Sequence, residues 1–526
     1  MIKQFFAVFF WAVVPFTFTN SARAQFTSNF QTNIISAVRS NWAGFGAYNV
    51  GSNTFFDTLI IQNGGALSNF DGIIGNLGPA SNNTAIVTGS GSLWTNGDVL
   101  VVGSSAPGNN LVISNGGLVY CIGGTFMGYG LAASSNNTVT VTGSGSVWTN
   151  IDLYVGYTGG HNRMTISNGG AVRDRTGFIG EGGASVSNVV IITDPGSFWS
   201  HDAPGGAGRG QMVLGDISVG NQLITSNGGA IYSSSLIFGN SSSSSSNSAI
   251  VTGAGSVWNL GPVGGGSLEV GNGGQGSRLT ISDGGAVHVT FGYIGFAGKN
   301  DMVTVTGAGA VWDDMLDLYI GNNGKTNALS IGPGGSVVAT NAYVSYLAGS
   351  VGNHIDVEGG TMLVTSNATI GNFNCSSSGT ITVDTGELIV TNAAHNATLE
   401  VLSGALTLNG GTTIVDRLVI TNTCARFVHA GGTLIVGSYV FDTNKFRSTA
   451  VTPSSNDVLL TWMMGPGATN ALQAAAGNVN GGYGTNAFTD IFVVTNNSAA
   501  GTVTNYLDVG AGTNKPARYY RVRLVP

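Results

Sequence analysis

Apolar and polar residues alternate in short bursts along this chain, and glycine separates the bursts. The stretch 138–166 is representative. TVTVT at 138–142 sets Val139 and Val141 on one face and threonines on the other. A Gly-Ser-Gly turn follows, then Val147 and Trp148. Leu153 and Val155 alternate around Tyr154 and end at Gly156, and Met164 and Ile166 open the next unit. Alternation of period two between glycine turns predicts strands, about three in every 26 residues, and no helical period. The best helical pattern lies at 28–42, where Phe30, Ile34, Val38 and Trp42 recur at steps of four. It predicts a short capping segment, although Trp42 also fits the repeat described next.

The bursts repeat. An apolar-Gly pair precedes an Asn-Gly-Gly-like turn by twelve residues, as in Gly51/Asn63, Gly103/Asn115, Gly156/Asn168 and Gly215/Asn227. A sister motif alternates with it: VTGSGSLW at 87–94, VTGSGSVW at 141–148, ITDPGSFW at 192–199, VTGAGSVW at 251–258 and VTGAGAVW at 305–312. Its turn aligns with the Asn-Gly-Gly turn, so a period of about 53 holds two half-repeats of about 26. Units this small bury no core alone, whereas stacked units do. The pattern predicts an all-β chain: a right-handed parallel β-helix of about 15 coils, three short strands per coil, about 70 Å long at the usual strand spacing. A propeller is the alternative for a 52–54 period, but matching turns in both halves favour coils. Trp94, Trp148, Trp258 and Trp312 should then line one face, in every second coil.

Composition explains itself on this architecture. Only 8% of residues are charged, glycine numbers 84 of 526, and the formal net charge is -7. Stacked like charges about 4.8 Å apart repel, whereas Asn, Ser and Thr hydrogen-bond to their own copies. The same composition excludes a disordered chain and a nucleic-acid binder. The serine run 241–246 reads as a loop, but the turn spacing around it stays 26, so it should occupy an ordinary turn.

The ends differ from the middle. Residues 1–24 read as a signal peptide: Lys3, an apolar stretch from Phe5 to Phe18, and Ser21-Ala22-Arg23-Ala24 before Gln25. An uncleaved anchor is the alternative. Residues 25–48 are assigned to an amino-terminal cap or first coil, 49–441 to the β-helix, and 446–526 to a small β module of sandwich type. The last holds NDVLLTW at 456–462 and a basic close with Arg518, Arg521 and Arg523; it would serve as an attachment module or as a cap on the last coil. Cys121, Cys375 and Cys424 form no CxxC or Cys/His cluster, so buried, inert thiols are expected. Cys375 and Cys424 lie close to two coils apart. Stacked, they would be about 9–10 Å from each other, beyond disulfide reach.

Candidate chemistry is sparse. Asp313, Asp314 and Asp317 follow Trp312 and could meet across a turn as hydrolytic carboxylates. Arg173, Asp174 and Arg175 form the densest charge cluster, and His201 and Asp202 could face Asp216. Each breaks the repeat, and each reads first as solvated loop residues. GGAGRGQ at 205–211 precedes no helix and carries no Lys-Ser/Thr, so phosphate binding is not expected. No metal site and no cofactor are expected, and no residue is assigned a catalytic role.

The pattern VTGxGSxW…LxVG…LTISNGGxV…IG resembles repeats of autotransporter-type passenger domains of secreted bacterial proteins, well over about 40–340 and weakly over 340–441. VLLTW and YYRVRLV are similar to fibronectin-III-like terminal modules. The resemblance implies an exported β-helix concerned with surface display or adhesion. The roughly 85 residues after 441 are too few for the usual translocator barrel. The expected function is that of an exported, adhesin-like scaffold that binds glycans or other cell-surface molecules through its faces, with no transmembrane span after processing. The runner-up is a polysaccharide lyase or hydrolase.

Overall fold

The computed structural model describes residues 26–525 apart from 43, 45, 202–209, 262–264, 442–447, 465–468, 479–481, 485–486, 498–501 and 514–516. The signal-peptide assignment, Asp202 and most of GGAGRGQ lie outside the described residues. No helix of the described chain is long and apolar enough to cross a membrane.

The alternating bursts are strands, and they stack in parallel. One strand of each coil joins a sheet of sixteen parallel strands running from Thr32–Ser36 to Cys424–His429. The other two join a second parallel sheet. Thr32 pairs with Thr58, Thr58 with Thr84, Thr84 with Asn110, Asn110 with Thr138 and Thr138 with Arg163. Each step is one winding, and a propeller is ruled out. In the later coils the second and third strands fuse into long bent ones, such as Ala310–Ile320. The serine run sits in an ordinary turn, with Ser244 Oγ donating to the carbonyls of Gly215 and Ser218 at 2.8 and 2.9 Å.

The amino end corrects an expectation. Thr32–Ser36, Arg39–Asn41 and Ala47–Val50 are strands of the first coil, with no capping helix. Ile35 points inward against Ile61, while Phe30, Ile34 and Val38 are exposed. Their four-residue spacing therefore defines no buried face. Trp42 is also off the repeat, because Ser40 pairs with Leu67 at the position tryptophan holds elsewhere.

The tryptophans form one column. Leu67 pairs with Trp94, Trp94 with Val119, Val119 with Trp148, and the alternation continues through Val172, Trp199, Ile231, Trp258, Val287 and Trp312. All five indoles are fully buried, so the column faces the core. The two-coil period follows from volume. Before Trp94, Trp199 and Trp312 the preceding coil leaves room for the indole with a glycine in its third strand, Gly72, Gly177 and Gly292. A Cβ added to Gly177 would stand 2.7 Å from Trp199 Cζ2, and one added to Gly292 2.8 Å from Trp312 Cζ2. The turns interlock as well: Ser146 Oγ of one half-repeat accepts from Gly116 N of the other at 3.0 Å, and Ser256 does the same for Gly228.

A second buried column is polar. Just before the strand of the sixteen-stranded sheet, coil after coil places Asp57, Asn83, Asn109, Asn137, Asn162, Asn188, Asn221 and Asn247, all fully buried. The Asn137 side-chain oxygen accepts from Asn109 N at 2.9 Å; Asn137 N and Nδ2 donate to Asn162 Oδ1 at 3.1 and 3.0 Å. Ser277 interrupts the ladder, which resumes at Asp301, Asn327 and Asn353. Over it lies the apolar-Gly glycine. Gly103 has φ +77°, and a Cβ on it would come within 2.3 Å of the Asn137 amide. Left-handed backbone and close approach both demand glycine there.

The ladder stops at Asn353, whose successors in register are Gly379, Gly404 and Ala425. At that corner Cys375 and Cys424 form a disulfide, with Cα atoms 5.8 Å apart. Neither is therefore an inert thiol, and the distance expected for stacked positions does not apply. The two-coil register holds: Cys424 keeps it, paired with Ser403, and Cys375 leaves it. Residues 371–377 loop out before the strand Ser378–Val383, and 421–423 do so before Cys424–His429. The coil between turns the corner with Leu402 alone. The two loops meet across it, and Asn422 Nδ2 donates to the Phe373 carbonyl at 2.7 Å. Cys121 is a buried free thiol, as expected.

The carboxyl-terminal module is two three-stranded antiparallel sheets around Val458, Leu460, Trp462, Met464 and Leu472. Its arginines are engaged internally: Arg518 pairs with Asp508 at 2.7 Å, Arg523 with Asp490 at 2.6 Å, and Arg521 lies over Phe488.

Two outcomes are predicted. Gly177→Ala destabilises by about 1–3 kcal/mol through overpacking against both His201 and Trp199, and Trp199→Leu, made together with it, offsets only part of that cost because the His201 contact remains. Chemical denaturation of the two single variants and the double variant measures the coupling. Asp301 occupies an asparagine position, and burial raises its carboxyl to about 7. A folded-state value above the unfolded one means stability that is complete below about pH 4 and lost as pH rises toward 7. Asp301→Asn restores a donor to Asn327 and should raise stability at neutral pH by on the order of 2–4 kcal/mol, with little gain at pH 4, read from unfolding midpoints at both.

Candidate functional site

In the third strand of most coils, the residue two before the turn is half-buried and faces outward; Val101 and Val213 in the same register are buried. One column therefore runs Val101, Phe126, Tyr154, Phe178, Val213, Ile237, Glu269, Tyr293, Tyr319 and Tyr343 in successive coils. Parallel register brings identical positions within one strand spacing, so the rings stack. Phe126–Tyr154 and Tyr154–Phe178 have centroids 5.0 and 4.8 Å apart, and Tyr293–Tyr319 and Tyr319–Tyr343 repeat those distances.

A second set of rings stands beside each stack. Tyr157 meets Tyr154 at 86°, Phe296 meets Tyr293 at 79°, and Tyr346 meets Tyr319 at 71°. Tyr129 and Tyr346 are 40% and 42% exposed. Crossed rings offer solvent both faces and edges. Two aromatic patches result, each three coils long, joined by Val213, Ile237 and Glu269.

Carboxylates accompany the rings. Asp317 accepts from Asn341 Nδ2 at 2.8 Å, Asp216 from Asn240 Nδ2 at 2.6 Å, and Glu269 from Ser267 and Asn272. Among the described residues none of Glu181, Asp216, Glu269 or Asp317 has an ion-pair partner. Partial burial, with Asp216 adding like charge, lifts the Glu181 carboxyl to about 7. Burial first, then Glu181 and Asp152, raises the Tyr154 phenol to about 12. Burial and Asp317 push Tyr319 and Tyr343 up as well. These hydroxyls stay protonated and can donate.

The charged clusters singled out from sequence do not converge. Asp313 faces outward to His288 at 3.3 Å; Asp314 is turned into the core; Asp317 lies across the bend among the tyrosines. Burial is the main cause that drives the Asp314 carboxyl well above its usual range. Arg173 stacks outside on Phe198, and Arg175 pairs with Asp152 at 3.1 Å. Asp174 lies inside, where it accepts from the Trp199 indole and meets His201 Nδ1, each at 2.5 Å. His201 and Asp174 are fully enclosed, and Asp216 lies on the outer face beside Glu181. Among the described residues no three His, Cys, Asp or Glu are grouped to hold a metal ion. The aromatic column was not recognised in the sequence, although Tyr154 and its neighbours were visible. Its signal is the outward residue two before each turn glycine, which emerges only once all coils are aligned.

No family model matches the chain, and no curated protein does. Among solved structures it is similar to the crystal structure of the TibC-catalysed hyper-glycosylated TibA55-350 fragment. Identity is 14%, 81% of this chain and 99% of the fragment are covered, and the TM-score is 0.25.

Asp314 yields a prediction of its own. A carboxyl raised on folding contributes stability at low pH and loses it as pH rises above its unfolded value. Asp314→Asn should therefore be more stable than the parent at pH 7 and close to it at pH 4, as thermal unfolding at the two values would show.

Proposed function

We propose that this chain is an exported, non-catalytic rod, held at a cell surface or released from it, that engages glycans or other surface molecules along its outer face. The observation that carries the reading is the aromatic column. Rings stacked at coil spacing, flanked by crossed rings and amides, form a rigid surface several coils long. Sugar rings combine apolar C–H faces with hydroxyls, and such a surface meets both needs. Repetition along the rod lets weak contacts add through multivalency. Export is supported by the pattern of residues 1–24 and by the Cys375–Cys424 disulfide, because such bonds persist in oxidising compartments. The scattered carboxylates support a binding role over a hydrolytic one.

A glycan-binding screen of residues 25–526 tests the reading. Binding is expected, and Tyr154→Ala with Tyr319→Ala should weaken it at least tenfold, about 1.4 kcal/mol. Polysaccharide cleavage that disappears with Asp313→Ala and Asp317→Ala would overturn it in favour of an enzyme.

A further inference from the structure

We infer that the outer face between Phe126 and Tyr346 recognises glycans that carry free amines, such as unacetylated hexosamine polymers. The inference rests on the glycan-binding reading above and names the class of glycan.

Charge complementarity on this face selects the occupant. Glu181 and Asp216 lie between the two aromatic patches, Glu269 sits within the column, and Asp317 stands among Tyr293, Tyr319 and Tyr343. No described cation pairs with any of the four, although Arg175 on the same face is committed to Asp152. Glu181 Oε2 is shielded from solvent without a hydrogen-bond partner. A neutral ligand would leave Glu181 and Asp216 repelling each other. An ammonium beside each would relieve the repulsion, and the aromatic surface would strengthen the contact through cation–π attraction.

The geometry also favours a linear polymer. Tyr154 and Tyr319, the centres of the two patches, are six coils apart in one column, about 29 Å at strand spacing. Between them the column passes Val213, which is buried, and Ile237, which is half-buried. A chain of sugars lying along the axis would reach both patches and pass over Glu181, Asp216 and Glu269 on the way. Asn240 and Asn272, already bonded to Asp216 and Glu269, add amide groups for sugar hydroxyls.

Calorimetric titration of residues 25–526, at neutral pH and low salt, decides the matter with three probes: a glucosamine oligomer, the N-acetylglucosamine oligomer of equal length, and a lysine oligomer. The glucosamine oligomer should bind at least tenfold tighter than either of the others, and salt should weaken it. Glu269→Gln with Asp317→Asn should reduce that affinity at least fivefold, with the circular dichroism spectrum and weak binding of the acetylated oligomer unchanged. Equal or tighter binding of the acetylated oligomer would overturn the inference and leave the glycan-binding reading intact. Equal binding of the lysine oligomer would reassign the face to cationic peptides. Failure of both sugars would remove the inference and the reading beneath it.

Discussion

A parallel coil must turn a corner at every winding, and at each corner backbone groups leave one sheet before the next has taken them up. Buried polar groups without partners cost about 1–3 kcal/mol each, and a rod repeats that cost at every coil. Here the cost is met in most coils up to Asn353 by one asparagine. Its side chain accepts the backbone N–H of the preceding coil, while its own N–H and amide donate to the following one, as Asn137 and Asn162 do. The arrangement works only if the backbone above closes down onto the amide, and Gly103 over Asn137 shows how tightly. Coil length, glycine spacing and register are tied together by this contact. Where the asparagines end, after Asn353, a disulfide links the loops at the same corner.

The interior tryptophan column depends on that register. An indole is too large for every coil, so large and small residues alternate, and the alternation appears in sequence as a repeat of about 53 built from two halves of about 26. This made most of the fold legible: alternating strands, glycine turns and a tryptophan every second coil require only counting. Three features were not legible. The four-residue spacing of Phe30, Ile34 and Val38 imitates a helix, but the pull of stacking against Thr58–Gln62 outweighs it. Cys375 and Cys424 bond because loops of unequal length overhang a short corner, and spacing along a strand carries no record of overhang. Asp174 and Asp314 look like surface charges beside their neighbours, yet alternation turns both inward.

The outer face was legible in part. Tyrosines were apparent as strand residues between inward-facing neighbours, but their convergence into two stacks needs the register of nine successive coils. The same register places carboxylates beside those rings that no described cation pairs with. A rod that spaces identical positions one strand apart turns an ordinary sequence preference, an aromatic before the turn glycine, into a continuous surface. Function on such a scaffold is a property of columns, which is why clusters local in sequence, such as Asp313, Asp314 and Asp317, separate once folded.

The dependence of the rod on its asparagine corner is tested most directly by comparing two adjacent residues. Asn137 is buried in the ladder; Asn136, next to it, is exposed with φ +57°. Equilibrium unfolding of Asn137→Ala and Asn136→Gly should separate them: a loss on the order of 2–4 kcal/mol for the first, from unsatisfied backbone and a cavity, and a few tenths for the second. Equal, small losses would mean that the ladder decorates the corner without holding it, and the account of coil length and glycine spacing built on it would fail.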